Sequence, residues 1–304
     1  MDRLVEQLTA WASVIQAAPL VRSTGYAVLV YGAFSLAILL AERHAGADIA
    51  RYGSRNFFND VVYTLFYRGG VYGVLILGAC TGALEPRLSF MRVELLREVP
   101  WPVGLAVFWI GADFALYWWH RLQHANRFLW ALHSVHHSQQ RLNLLTAFRR
   151  HPLETLLGNV IIGFGIFHLV LGVPAREWMP LGVVITCLIA IQHAQLDWRF
   201  GVFHRIVVSP RFHAFHHSLD PAHANANYGM ILSVWDYVFG TAVPEQPRPT
   251  RYGIDGIDYR ESLLRQLGTP FRLMWLWRRG PGLPTVGTAL APGDSAAFPN
   301  APRG

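Results

Sequence analysis

The 304-residue sequence predicts an all-α fold: a multi-span membrane protein of about five transmembrane helices, with a helical, histidine-box metal centre on the cytosolic side. Three observations point there. Charged residues make up only 15% of the chain, against about 25% in soluble domains, and the mean hydropathy is +0.26. Several stretches are apolar over the length needed to cross a bilayer. Thirteen of the 14 histidines lie between positions 120 and 223, with only His44 outside. This composition excludes a disordered chain, a coiled coil and a nucleic-acid-binding module. There is no lysine, so the 26 basic residues are all arginine, and with 19 acidic residues they give a net charge of +7.

Residues 1–100 are expected to hold the N-terminal spans. Asp2, Glu6 and Gln7 interrupt the first 20 residues, which lack the apolar core of a signal peptide, and 4–20 read as a weak interfacial helix. Spans are expected at 25–43, 58–84, 101–119, 155–173 and 178–196. Asp60 and Arg68 interrupt the second, Asp113 lies in the third, His168 in the fourth and His193 in the fifth. A short connection around Pro174 joins the last two as a hairpin. The arginines test this map. If the chain alternates sides, Arg3, Arg22, Arg87, Arg92, Arg97 and Arg176 fall on one face, Arg68 inside a span, and the other nineteen on the opposite face. The positive-inside rule then places 44–57, 120–154 and 197–304 in the cytoplasm. Residues 101–245 form the expected histidine-box domain, including three spans. Residues 246–279 form the expected C-terminal amphipathic segment: 244–250 read as a loop, and 260–279 mix Arg with Leu, Phe, Met and Trp, which suits an interfacial helix or one packed on the domain. The Gly-, Pro- and Ala-rich residues 280–304 read as a disordered tail. Cys80 and Cys187 lie in apolar runs and read as buried hydrophobes.

The histidines form three boxes: H-R-L-Q-H (His120, His124), H-S-V-H-H (His133, His136, His137) and H-A-F-H-H (His213, His216, His217). Positions i, i+3 and i+4 share one side of a helix, so each box sets two or three imidazoles side by side. Neutral imidazole is the commonest metal ligand among side chains and suits zinc, copper, iron and nickel. Eight ligands exceed what one tetrahedral ion uses, so the natural count is two ions with four or five ligands each. All three boxes follow spans on the same predicted face.

The remaining candidates are weaker. His193 ends the fifth span at the depth of the boxes and reads as a ninth ligand. His151 precedes Pro152 at a helix start, where a site role and a local cap are equally open. His223 follows the third box by six residues and is a further possible ligand. His168 lies alone in a span and suits a helix–helix hydrogen bond, while His204 and His44 read as surface residues. Asp113, Tyr117, His120 and His124 form one helical stripe, which makes Asp113 and Tyr117 candidates for orienting the ligands. Asp113 lies about 10 Å from His120 by helical rise, so it would serve an imidazole of another box, or Tyr117. An ion pair with Arg68 is the alternative. The glycine run at 158–165 suits either a substrate pocket or helix packing.

These boxes and their surroundings resemble the fatty acid hydroxylase / sterol desaturase superfamily of integral membrane di-iron enzymes. The resemblance covers about residues 101–245. It includes D-F-A-L-Y-W-W-H-R-L-Q-H (113–124), H-S-V-H-H (133–137), R-R-H-P (149–152), Q-H-A-Q-L (192–196), S-P-R-F-H-A-F-H-H-S (209–218) and N-Y-G-M-I-L-S-V-W-D-Y-V-F-G-T (227–241). It implies two iron ions held by the eight box histidines with His193, dioxygen as co-substrate, and a lipid substrate that is hydroxylated or desaturated. No cytochrome b5 segment is visible, so the resemblance implies a separate electron donor: a ferredoxin, cytochrome or reductase. The boxes alone also permit a membrane zinc-dependent hydrolase, although no H-E-x-x-H motif occurs, or a non-enzymatic metal- or lipid-binding membrane protein.

Overall fold

The computed structural model describes residues 17–172, 175–243, 246–254 and 262–277, with the side chains of 17–24, 26–28 and 175–182 left aside. The expected interfacial helix at 4–20, the Pro174 connection and the tail at 280–304 lie wholly or largely outside the described residues. Among the described residues the fold is helical. The only strand-like pairings are two isolated bridges, Val207 with Leu232 and Ser218 with Tyr252.

Helix α1 spans Ala17–His44, α2 Arg55–Arg68, α3 Val71–Met91 and α4 Trp101–Ala125. Helix α5 follows at Arg127–His137, then a 3₁₀ turn at Leu144–Phe148. Helix α6 runs Pro152–Val170, α-helical at its start and π-helical from Asn159. Helix α7 is Ala175–His193, α8 Pro210–His216, α9 Val234–Val238 and α10 Leu263–Trp277.

Three described helices, α3, α4 and α6, are long and apolar enough to cross a membrane, and Val183–His193 of α7 is a shorter apolar stretch. The expected spans at 101–119 and 155–173 fall on α4 and α6. The expected span at 58–84 does not form as one helix. It breaks at Gly69–Gly70, where Gly70 adopts φ +90 and a Cβ on Gly69 would stand 2.4 Å from the Leu65 carbonyl oxygen. Only glycine accommodates both conditions without strain. Residues 55–68 thus become a separate helix that buries Asn59, Asp60 and Tyr63, and the spanning helix starts at Val71.

Helix α4 shows how the chain divides between lipid and interior. Val103, Val107, Ile110, Phe114 and Trp118 recur at helical spacing and are all exposed. The opposite face buries Phe108, Ala112, Asp113, Tyr117, His120, Gln123 and His124. An apolar outside around a polar inside is the distribution lipid requires and water penalises. Gly158, first of the run at 158–165, lets α6 approach α4, since a Cβ there would lie 3.2 Å from the Trp119 indole nitrogen. Packing accounts for that glycine.

The main core lies behind the second histidine box. Tyr31 and Ile38 of α1, Tyr63 of α2, Val135 of α5, Leu144, Leu145 and Phe148 of the 3₁₀ turn, and Ala190 of α7 meet there. A buried ion pair clamps this region. Arg149 Nε lies 2.5 Å from Asp60 Oδ1, Gln139 and Asn143 donate to Asp60 Oδ2 at 2.7 and 2.8 Å, and Arg149 also donates to the Asn56 carbonyl. Both charged side chains are fully buried. The clamp ties the segment after α5 to α2.

Candidate metal centre

Four elements deliver nine imidazoles to one place. Asn126 ends α4 and caps α5, accepting from the Leu129 N–H at 3.1 Å, so the chain reverses within one residue. That turn sets His120 and His124 beside the α5 box. Helix α7 ends at His193. Ser209 caps α8 through the Phe212 N–H and launches the third box.

The imidazoles sort into two groups: His120, His124, His133, His137 and His216, and His136, His193, His213 and His217. Within each group the candidate ligand atoms all lie within 4.8 Å of one another, and every member is buried. Each H-x-x-H-H box divides between them. Its i and i+4 members join one group and its i+3 member the other, because i+3 and i+4 flank the helix ridge on opposite sides. The groups abut: the rings of His137 and His217 are 4.5 Å apart.

In the five-histidine group all five Nε2 atoms are buried without a hydrogen-bond partner, while outer nitrogens are anchored. His120 Nδ1 meets the Tyr228 carbonyl at 2.9 Å, His133 Nδ1 meets Glu154 Oε1 at 2.9 Å, and His216 Nδ1 meets the Ala226 carbonyl at 2.8 Å. An Nδ1–H held by an acceptor leaves Nε2 as a bare lone pair. In the four-histidine group the Nε2 atoms crowd together: His193 to His213 at 3.1 Å, His193 to His136 at 3.3 Å, and His213 to His217 at 3.2 Å. Four nitrogens bound to one tetrahedral ion would sit about 3.4 Å apart, given metal–nitrogen bonds of about 2.0–2.1 Å. His193 Nδ1 donates to the Ile189 carbonyl at 2.8 Å, which again turns Nε2 inward as an acceptor.

Burial holds His133, His136, His137, His213 and His217 well below the usual imidazole range, and neighbouring imidazoles add to it. His216 is pushed down to about 4 by burial. The rings are therefore neutral at physiological pH, the state a metal ligand needs. Unpartnered inner nitrogens in the five-histidine group, and the near-ligand Nε2 spacing in the four-histidine group, fit metal ions. Both groups consist of histidine alone.

The supporting residues differ in part from expectation. Asp113 bonds to no imidazole directly and does not pair with Arg68. Its carboxylate accepts from the Ile231 and Leu232 N–H groups at 2.9 and 3.1 Å and from the Trp235 indole at 2.9 Å. It thereby holds the 228–235 segment, whose Tyr228 carbonyl meets His120. Tyr117 bonds to Thr241 at 2.9 Å and to no histidine. His151 caps α6 through the Leu153 N–H, and its other nitrogen meets the Leu267 carbonyl. His223 lies between Ser218 and Gln246. Neither joins the two groups. His168 contacts Glu85 of α3 across a helix interface, as its solitary place in a span suggested.

Two supports escaped sequence reasoning. Glu154 Oε1 accepts from both His133 Nδ1 and Gln123 Nε2 at full burial. Asp236 accepts from the Tyr228 and Gly229 N–H groups at 2.7 and 2.8 Å, fixing the same segment that Asp113 holds from the other side.

Apolar helices long enough to cross a membrane and nine convergent, buried imidazoles define a membrane protein with a polyhistidine centre that could hold metal. Residues 105–241, which contain all nine, match the fatty acid hydroxylase family, and the chain belongs to the fatty acid hydroxylase / sterol desaturase superfamily. It is 33% identical over 220 residues to ornithine lipid hydroxylase OlsE of Rhizobium tropici, covering 70% of this chain and 66% of that one. It is 29% identical over 175 residues to alkylglycerol monooxygenase of Xenopus tropicalis, covering 55% and 36% respectively. It is also 29% identical over 141 residues to methylsterol monooxygenase 2-2 of Arabidopsis thaliana, covering 44% and 50%. The similarity thus spans about two thirds, a third and a half of these relatives. No solved structure matches.

Proposed function

We propose that this chain is a membrane-bound, non-haem di-iron oxygenase that hydroxylates or desaturates a lipid. The observation that carries the reading is the pair of buried all-histidine groups, one with five inward Nε2 atoms free of protein partners and the other with four Nε2 atoms crowded at near-ligand spacing. His120, His124, His133, His137 and His216 would hold one ion, and His136, His193, His213 and His217 the other. Two iron ions, when bound, supply the redox chemistry needed to attack an unactivated C–H bond, which acid and base side chains alone cannot break.

The protein's own share is positioning. Glu154, with Gln123, holds His133 from outside. The Tyr228 and Ala226 carbonyls fix the tautomers of His120 and His216, and Asp113 and Asp236 hold the segment that carries Tyr228. Burial excludes water from the inner nitrogens. Hydroxylation consumes dioxygen with two electrons and two protons, yielding the alcohol and water, so the reading requires a separate donor such as a ferredoxin, cytochrome or reductase. The arginine distribution supports a cytoplasmic centre, where such a donor is reached. Residues 101–245 are the catalytic unit on this reading. The hydroxylase and monooxygenase activities of the named relatives favour it over a zinc hydrolase. So does Glu154, whose carboxylate is engaged at an outer nitrogen rather than poised as a base.

Oxygen consumption by purified protein tests the reaction class. Uptake that requires iron, a reductant and a lipid extract is expected. Lipid hydrolysis without oxygen uptake would favour the zinc alternative.

A further inference from the structure

A cavity of about 440 Å³ opens beside the five-histidine group at the C-terminal end of α4. Arg121 and His124 of α4, Arg127 and Trp130 of α5, Tyr228 and Trp277 contribute to its wall. The wall next to the centre is shared. The His124 ring lies 5.0 Å from Trp130 and 5.2 Å from Tyr228, and Trp130 lies 5.3 Å from His137.

The cavity's chemistry is one-sided. It has two guanidiniums and no carboxylate in its lining. Arg121 stacks over Trp118 and donates to the Tyr117 hydroxyl at 3.4 Å. Arg127 is exposed and pairs with nothing among the described residues. Guanidinium offers donors in a fork that fits carboxylate or phosphate, and the volume falls in the range of small-molecule sites, about 300–1,000 Å³. The same end of α4 exposes Trp118 and Leu122 on its lipid side, so a ligand with an anionic head and an apolar tail matches both surfaces.

We propose that this cavity is a headgroup site for a lipid bearing a phosphate or carboxylate, held between Arg121 and Arg127. The inference rests on the lipid-oxygenase reading for the role of its ligand. Because His124 belongs to both the cavity wall and the five-histidine group, a lipid held this way presents its headgroup-proximal bonds to the centre.

The test uses the full chain in detergent, once iron-loaded and once stripped of metal. Native mass spectrometry follows retention of phosphatidic acid, diacylglycerol of the same chains, and inorganic phosphate. A charge-assisted pair predicts about tenfold preference for phosphatidic acid over diacylglycerol with or without metal. Arg127→Glu should abolish the preference, and Arg121→Gln should weaken it. Arg127 makes no bond within the described fold, so its variant separates recognition from folding, with matched helical circular dichroism as the check. Equal retention of the two lipids, or an unchanged preference in Arg127→Glu, overturns the proposal. Inorganic phosphate binding as tightly as phosphatidic acid also overturns it, assigning the cavity to a soluble anion. Failure of the oxygenase reading shows separately, as absent oxygen uptake in protein that still selects the anionic lipid.

Discussion

Single residues divide here into inner and outer roles, and substitutions should separate them. His136→Ala removes one of four nitrogens from its group and should abolish lipid oxidation while lowering bound metal. Unchanged activity would contradict its assignment. Glu154→Ala removes the acceptor of His133 Nδ1 and should weaken metal binding about 10- to 100-fold, measured by competition with a chelator. Glu154→Gln keeps an acceptor oxygen and should recover part of that loss. The titration of the centre has a definite sign. His133, His137 and His216 have lower affinity for protons in the fold than in the unfolded chain, where imidazole titrates near 6.5. As pH falls below 6.5 the unfolded chain takes up protons first, so metal-free protein loses stability, for His216 down to about pH 4. Its thermal midpoint should decline across that window, and a flat profile would contradict neutral burial. The eight box histidines were legible because i, i+3 and i+4 spacing is local, and His193 because it ends a span at the depth of the boxes. Glu154 was not. It stands 21 positions from His133, and one acid at the head of an apolar run looks like any interfacial charge.

At the scale of elements, the break at Gly69–Gly70 was the least legible feature. Residues 58–84 have the length of a span, and only backbone geometry shows that two glycines end one helix and free the next. Asp60 and Arg68 were the clue, since two charges fit a packed helix better than a lipid-facing one. Gly70→Ala should cost about 1–2 kcal/mol through its left-handed backbone, read as a lower thermal midpoint. The segment at 228–235 depends on two carboxylates from different elements. Asp113→Ala strands three donors, each costing about 1–3 kcal/mol when buried and unpaired. It should lower the thermal midpoint and loosen metal at the five-histidine group through Tyr228 and His120. Stable, fully metallated Asp113→Ala protein would contradict this role. Helix α10 was open between membrane interface and domain, and it has features of both: Gln266, Pro270 and Leu273 are buried, while Leu264, Phe271 and Trp275 face outward.

For the whole molecule, the composition carried the class and the boxes carried the site. Low charge indicated a membrane, and α4 displays the reason, with apolar side chains outside and polar ones within. The division of nine histidines into five and four was anticipated only as a count. Which residue joins which group depends on how α4, α5, α7 and α8 face one another, and no local spacing encodes that. The central claim is that these two groups hold two metal ions, and metal analysis of anaerobically purified protein tests it most directly. Two ions per chain, predominantly iron, are expected. One ion or none per chain, in protein whose helical circular dichroism and thermal transition are intact, would contradict it.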